Sequence, residues 1–313
     1  MEDEPGPEGG VDYPRTFQEF RDWFPDDQAC LDYLATLRWP RGFECPRCGS
    51  GGFWRISQRR LWMCAECGLK TSVTAGTIFH RTHSPLSSWF AAVWFVTSQK
   101  TGMSAQGLQR VLGFGSYETA WAWLHKLRRT MVRPDRERLA GIVEVDQSFI
   151  GGKTAGQRGP STDKVPVTIA VERDEENRIG RIRLENADRP GSAEMIEFTT
   201  EIAEPGSIIR TDGANLWRRL PELGYTHEPT AGITAEDPDS VTPGVHLVAS
   251  LLKRWIAGTL HHRISLAHMP YYLDEFTFRF NRRKSKAPGL LFYRLLQQAV
   301  DTDPHPLDEL IGR

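Results

Sequence analysis

Cys45, Cys48, Cys64 and Cys67 form C-x2-C-x15-C-x2-C, a spacing that brings four thiolates around one tetrahedral Zn²⁺. All four ligands are sulfur, so no coordination position is left for water. The pattern therefore predicts a structural zinc, one ion per chain, and not a catalytic one. The bland alternative is two unrelated pairs of reduced thiols. Two carboxylates suggest a different chemistry. Asp146 sits mid-strand in EVDQSF among apolar neighbours, where a charge is unfavourable unless it does something or faces solvent. Asp212 directly follows SIIR, in TDGAN. Carboxylates at or beside strand ends are how phosphoryl-transfer enzymes hold Mg²⁺. Two such ions about 4 Å apart can activate a water or a 3′-hydroxyl and stabilise the leaving oxygen. Asp212 also fits a plain Asp-Gly turn.

The surrounding elements must position these groups. Residues 1–14 read as a disordered tail, and residues 15–40 as a short helical segment. Its second helix starts at Asp26 or Asp27, repeats apolar residues at Cys30, Leu31, Leu34 and Leu37, and stops at Trp39-Pro40. Cys30 then reads as a packed thiol. The cysteine module occupies residues 41–80, with Phe43, Phe53, Trp54 and Trp62 to supply its small core. Residues 84–138 are helical, with a helix from near Pro85, another over 104–112, a Gly113–Ser116 turn and a third over 116–131. Helix, glycine turn, basic helix is a helix-turn-helix pattern, with Lys126, Arg128 and Arg129 near its end; a plain helical hairpin is the alternative.

From Gly141 the period changes. Residues 142–150, 165–172 and 178–184 alternate like strands, a helix covers 192–201, and 207–210 is an apolar strand. Residues 214–244 read as irregular, and helices follow over about 245–257, 268–281 and 288–300. Three successive strands, then helix, strand and helices, give an α+β multidomain chain and exclude a doubly wound parallel sheet. Residues 140–300 form its last domain and 301–313 a tail.

Among 313 residues, 39% hydrophobic and 25% charged, the net charge of −1 hides an asymmetry. Residues 99–138 hold eight Lys/Arg against three Asp/Glu, residues 246–300 nine against two, and residues 185–239 four against twelve. Basic segments around an acidic one suggest polyanion-binding surfaces beside a carboxylate site, with solvated helix faces as the alternative. An odd cysteine count argues against a disulfide framework, and the acidic, Gly/Pro-rich start lacks the features of a secretory signal, so an intracellular protein is expected.

The runs FQEFRDWFPDDQACLDYLATLRWPRGFECPRCGS, MCAECGLKTSVTAGTIF, EVDQSFIGG, TDG, SLLKRWIAGTLHH and YLDEFTFRFNRR occur in this order. Over about residues 14–300 the chain resembles the transposases of one family of bacterial insertion sequences. The resemblance implies an N-terminal zinc ribbon and a DDE-type domain of ribonuclease-H-like fold. It matches Asp146 to the first catalytic aspartate and Asp212 to the second. The third acid falls at His246, where the family has Glu or Asn, and Lys253, seven residues on, matches the family's lysine. By count His246, Ser250 and Lys253 share one helical face. His246 can ligate a metal through a neutral nitrogen but adds no negative charge. Either the triad is Asp-Asp-His, or Glu236, Asp237 or Asp239 fills in, or catalysis is impaired.

The implied activity is binding of the element's terminal inverted repeats, cleavage of the DNA 3′ ends and their joining to target DNA, with two Mg²⁺ or Mn²⁺ ions. The partner is double-stranded DNA, bound by a homodimer or higher oligomer in the cytoplasm, on the nucleoid. Lys126, Arg128, Arg129, Lys253, Arg254, Arg282 and Arg283 are the candidate phosphate contacts. For the arginines that end YLDEFTFRFNRRKSK, a solvated helix cap is the alternative. A DNA-binding regulator without catalysis and a structure-selective nuclease are the competing functions.

Overall fold

The structure is a computed structural model that describes residues 6–56, 60–133, 136–151, 164–187, 191, 193–212, 214–229, 242–260, 264 and 266–311. The chain divides into two compact units, residues 1–133 with 285–313, and residues 134–284. In the first, α1 (Phe17–Trp23) is capped by Thr16 and α2 (Asp27–Arg38) by Asp26, whose carboxylate accepts from the N–H of Gln28 and Ala29. β1 (Phe53–Ile56), β2 (Leu61–Cys64) and β3 (Lys70–Thr71) form an antiparallel sheet. Phe43 and Trp62 are buried in this module, as expected. Phe53 and Trp54 are not: strand β1 is an edge, and they stand 44% and 58% exposed. After α3 (Leu86–Ser98), α4 (Ala105–Leu112) ends at Gly113, whose φ of 69° needs no Cβ, and Ser116 caps α5 (Tyr117–Arg129). Cys30 is buried, and burial pushes its thiol up to about 12, as suits a packed side chain.

The second unit is a mixed sheet. β4 (Ile142–Gly151), β5 (Lys164–Arg173) and β6 (Ile179–Asn186) are antiparallel, and β7 (Ile208–Thr211) and β8 (Thr226–Pro229) run parallel to β4. The order β6-β5-β4-β7-β8 is that of a ribonuclease-H-like fold. α6 (Glu194–Ile202) and Trp217 cover one face, packing on Val143, Val145, Ala170 and Ile209. α7 (Pro243–Leu260) and α8 (Met269–Asn281) cover the other, over Ile150, Val167, Ile169 and Leu184, and Phe276 and Phe280 join that core. Strand β8 falls in the segment read as irregular. At the opposite edge, the Asn281 side chain pairs with both the N–H and the C=O of Ile182, as a neighbouring strand would.

The last two helices, α9 (Pro288–Asp301) and α10 (Leu307–Ile311), belong to the first unit. The expected last domain over 140–300 therefore loses α9. Its fully buried Phe292 lies 5.4–5.7 Å, ring to ring, from Phe20, Phe24, Phe90 and Trp94. The apolar period identified the helix, but only these aromatic partners, far upstream at positions 20, 24, 90 and 94, assign it to a unit. Among the described residues no helix is long and apolar enough to cross a membrane.

The start of α7 is locked to the sheet. Glu144 on β4 is fully buried, its Oε2 accepts from the N–H of Gly244 at 2.7 Å and of Val245 at 3.3 Å, and its Oε1 faces Arg173 Nε at 3.2 Å. A helix N-terminus suits a carboxylate because its first N–H groups lack intrahelical partners. Only glycine fits at 244: a Cβ there would stand 2.7 Å from Glu144 Oε2 and 3.0 Å from Arg173 Nη1. Gly244→Ala is accordingly expected to lower stability by about 1–3 kcal/mol, the usual cost of overpacking. Thermal unfolding checks this, and an unchanged midpoint would show that the contact is not tight.

Candidate functional site

The cysteine centre is built from two matching turns. Gly49 N–H donates to Cys45 C=O at 2.9 Å, and Gly68 N–H to Cys64 C=O at 3.1 Å. Both glycines follow the second cysteine of their pair and hold φ near +70° (72° and 67°), so the signature at each end is C-x2-C-G. The four sulfurs lie within 4.8 Å of one another, with Cys45 to Cys67 and Cys48 to Cys64 both at 3.6 Å. Tetrahedral zinc–sulfur bonds of about 2.3 Å set sulfurs about 3.8 Å apart. The donor set thus fits a closed structural zinc. The N–H of Cys67 is the largest influence holding the Cys64 thiol down at about 6, which favours the thiolate a metal needs.

The carboxylates are placed by strand register. β4 and β7 pair in parallel, Ile142 with Ile208 and Glu144 with Arg210. Asp212 directly follows the end of β7, and Asp146 lies two residues beyond the last β4 residue in that pairing, near enough for the two charges to interact. Asp146 Oδ1 accepts from Gln147 N–H at 2.7 Å, and Oδ2 from Thr242 Oγ1 at 3.0 Å. Burial, joined by the charge of Asp212, holds the Asp146 carboxyl above its usual range, and His246 pulls the other way. Asp212 Oδ1 accepts from Ala214 N–H and from the Trp217 indole N–H, both at 3.1 Å. His246 lies in the first turns of α7, its N–H on Thr242 C=O. Along the helix, Lys253 Nζ donates to Ser148 Oγ at 3.0 Å. Glu144, Asp146 and Ser148 alternate along one face of β4, and each meets α7 or the residue before it.

Among the described residues, the cysteine set is the one group of three or more such side chains already gathered at metal-binding distance. Asp146, Asp212 and His246 share a neighbourhood but not that closeness. Glu236, Asp237 and Asp239 lie outside the described residues. Sequence reasoning passed over Glu144, Ser148, Thr242 and Trp217. The first two share the two-residue period of Asp146, and Thr242 precedes a proline at a helix start, so three of the four carried a readable signal.

The candidate DNA contacts divide. Arg129 and Arg254 are exposed, and Lys126 is half-buried. Arg128 is a correction: it is 2% exposed, on the inward face of α5 with Leu124 and Leu127, where no phosphate reaches it. Arg283 is another. Its guanidinium lies over the Phe280 ring and donates to the carbonyls of Ile179, Gly180 and Phe280, so it serves the strand edge and the helix end. Arg282 lies over Phe278 and donates to that residue's carbonyl.

Residues 25–70 match the transposase zinc-ribbon domain, and residues 138–281 match the ISXO2-like transposase domain. The chain belongs to the transposases with these two domains. The transposase zinc-ribbon match spans all four cysteines, and the ISXO2-like match spans Asp146, Asp212, His246 and Lys253. No curated protein matches the chain. Purified without chelator, this transposase is expected to carry a single zinc per chain. Cys64→Ser should release it and melt the ribbon module, while the unit over residues 134–284 keeps its own unfolding transition. Elemental analysis that finds no zinc in the unsubstituted protein would refute this.

Proposed function

We propose that this transposase binds the terminal inverted repeats of its element, cuts the 3′ ends and joins them to target DNA. The observation that supports this best is the parallel pairing of β4 with β7, which brings Asp146 and Asp212 within electrostatic reach of each other and of His246 at the start of α7. Divalent ions, Mg²⁺ or Mn²⁺, would be held by Asp146, Asp212 and His246 and would activate a water or 3′-hydroxyl and stabilise the leaving oxygen. Cutting and joining are both in-line displacements at phosphorus, so one site serves both. Thr242 orients the Asp146 carboxylate, and Ser148 holds Lys253 at the same face, where its ammonium can meet a phosphate. Two DNA ends must be brought together, which calls for a dimer or higher oligomer on the DNA, on the nucleoid.

One feature favours a second reading. A histidine at position 246 leaves two carboxylates where three would hold more positive charge, so a regulator that binds ends without cutting them is the alternative. Strand-transfer assays on end-sequence DNA separate the two. Asp146→Ala and Asp212→Ala should each abolish cutting and joining while end binding persists. His246→Glu should support or raise Mg²⁺-dependent activity, whereas His246→Ala should lose most of it. Full activity in His246→Ala would remove the histidine from the site, and joining by Asp146→Ala would overturn the assignment.

DNA affinity should depend on salt and reside largely in residues 41–138. For about four phosphate contacts the log–log slope is about −3.6, and each lost contact reduces it by about 0.9. Arg129→Ala is expected to flatten the slope by that amount. Arg128→Gln should lower thermal stability and leave the slope unchanged. The reverse pattern would mean that Arg128 reaches the DNA.

A further inference from the structure

Trp217 is 1% exposed, packed among Leu139, Val143, Val145 and Ile209 beneath the sheet. A buried indole N–H needs an acceptor, and here it is Asp212 Oδ1, 3.1 Å away. The same oxygen accepts the Ala214 N–H, also at 3.1 Å. Both donors therefore sit on one oxygen, and among the described residues Oδ2 takes none. A carboxylate in solution turns freely about its bond to Cβ. Two donors on Oδ1, one from a rigid ring fixed by the core and one from the backbone, remove that freedom.

We infer that Trp217, with the Ala214 N–H, is a positioning device that clamps Oδ1 of Asp212 and reserves Oδ2 as a ligand oxygen for a divalent cation. The inference rests on the metal-dependent reading of Asp212. Indirect partners of this kind orient the ligand and strengthen metal binding without touching the ion. The carboxylate is pre-set, so the cation does not have to order it on arrival. Ala214 offers a separate handle. Its φ of −56° is one that proline adopts, so Ala214→Pro can delete the N–H donor while keeping that dihedral.

The test is Mn²⁺ binding to the zinc-loaded full chain, read from loss of the free-ion EPR signal, with thermal unfolding recorded for each variant. Trp217→Phe keeps most of the ring but loses the N–H, and is expected to weaken Mn²⁺ binding about tenfold. Ala214→Pro is expected to do the same, and the double variant to bind more weakly than either. In strand transfer, the Mn²⁺ or Mg²⁺ concentration for half-maximal rate should rise in parallel, with the rate at saturating metal largely kept. A purely structural role would lower the melting point and leave metal affinity unmoved. Folded Trp217→Phe that binds Mn²⁺ as tightly as the parent overturns the inference. If that variant unfolds, Ala214→Pro decides: tight binding by it also overturns the clamp. Asp212→Ala sets the baseline. If it binds Mn²⁺ like the parent, the metal reading of Asp212 fails, and the clamp with it.

Discussion

Glu144 has no contact with water, and a buried carboxylate is costly unless charge and hydrogen bonds answer it. It is answered by Arg173 on the neighbouring strand and by the first N–H groups of α7. The geometry of the second unit follows from this latch. It sets where α7 begins over the sheet, which puts Thr242 against Asp146 and, about three turns on, Lys253 against Ser148. Remove one partner and the other is left as an uncompensated buried charge, a loss of about 3–5 kcal/mol. The packing of α7 on Ile169, Val171 and Leu184 adds stability but no register, because apolar contacts tolerate sliding where a hydrogen-bonded carboxylate does not.

The two candidate metal centres are opposites in kind. The cysteine centre is local: both turns close within five residues, and the four sulfurs are already gathered. Its geometry suits an ion that stays. The carboxylate centre is assembled from β4, the end of β7 and the start of α7, which are far apart in the chain. Its acidic groups repel one another, and burial together with the Asp212 charge raises the Asp146 carboxyl. Such an arrangement stores an electrostatic cost that a cation relieves, which suits ions that come and go with substrate.

Much of this was legible in the sequence for identifiable reasons. Strands β4, β5 and β6 alternate because one face meets α7 and α8 and the other meets α6 or solvent, and the cysteine spacing is a local code. Strand β8, Thr-His-Glu-Pro, escaped notice because an exposed edge strand has no apolar face to display. The period of α9 revealed a helix but not its partners, since Phe292 finds its aromatic neighbours near the other end of the chain. Arg128 read as a surface cation because charge alone says nothing about which way a helix turns. The neighbours Leu124 and Leu127 decide that. The nearness of Asp146 and Asp212 depends on the parallel pairing of β4 and β7, which no local pattern encodes.

Asn281 satisfies both backbone groups of Ile182, and Arg283 takes the carbonyls of Ile179 and Gly180. Those are the groups through which β6 would otherwise accept an additional strand. A side-chain amide has the same donor and acceptor pair as a peptide bond, so the sheet ends against a single-residue imitation of the strand it lacks. An intruding segment would have to evict both side chains before gaining its first ladder bond. The positive charge of Arg283 at that spot makes the exchange still less favourable. At Ile179, Gly180 and Ile182 the border is therefore barred to cross-β growth and to swapping with another molecule.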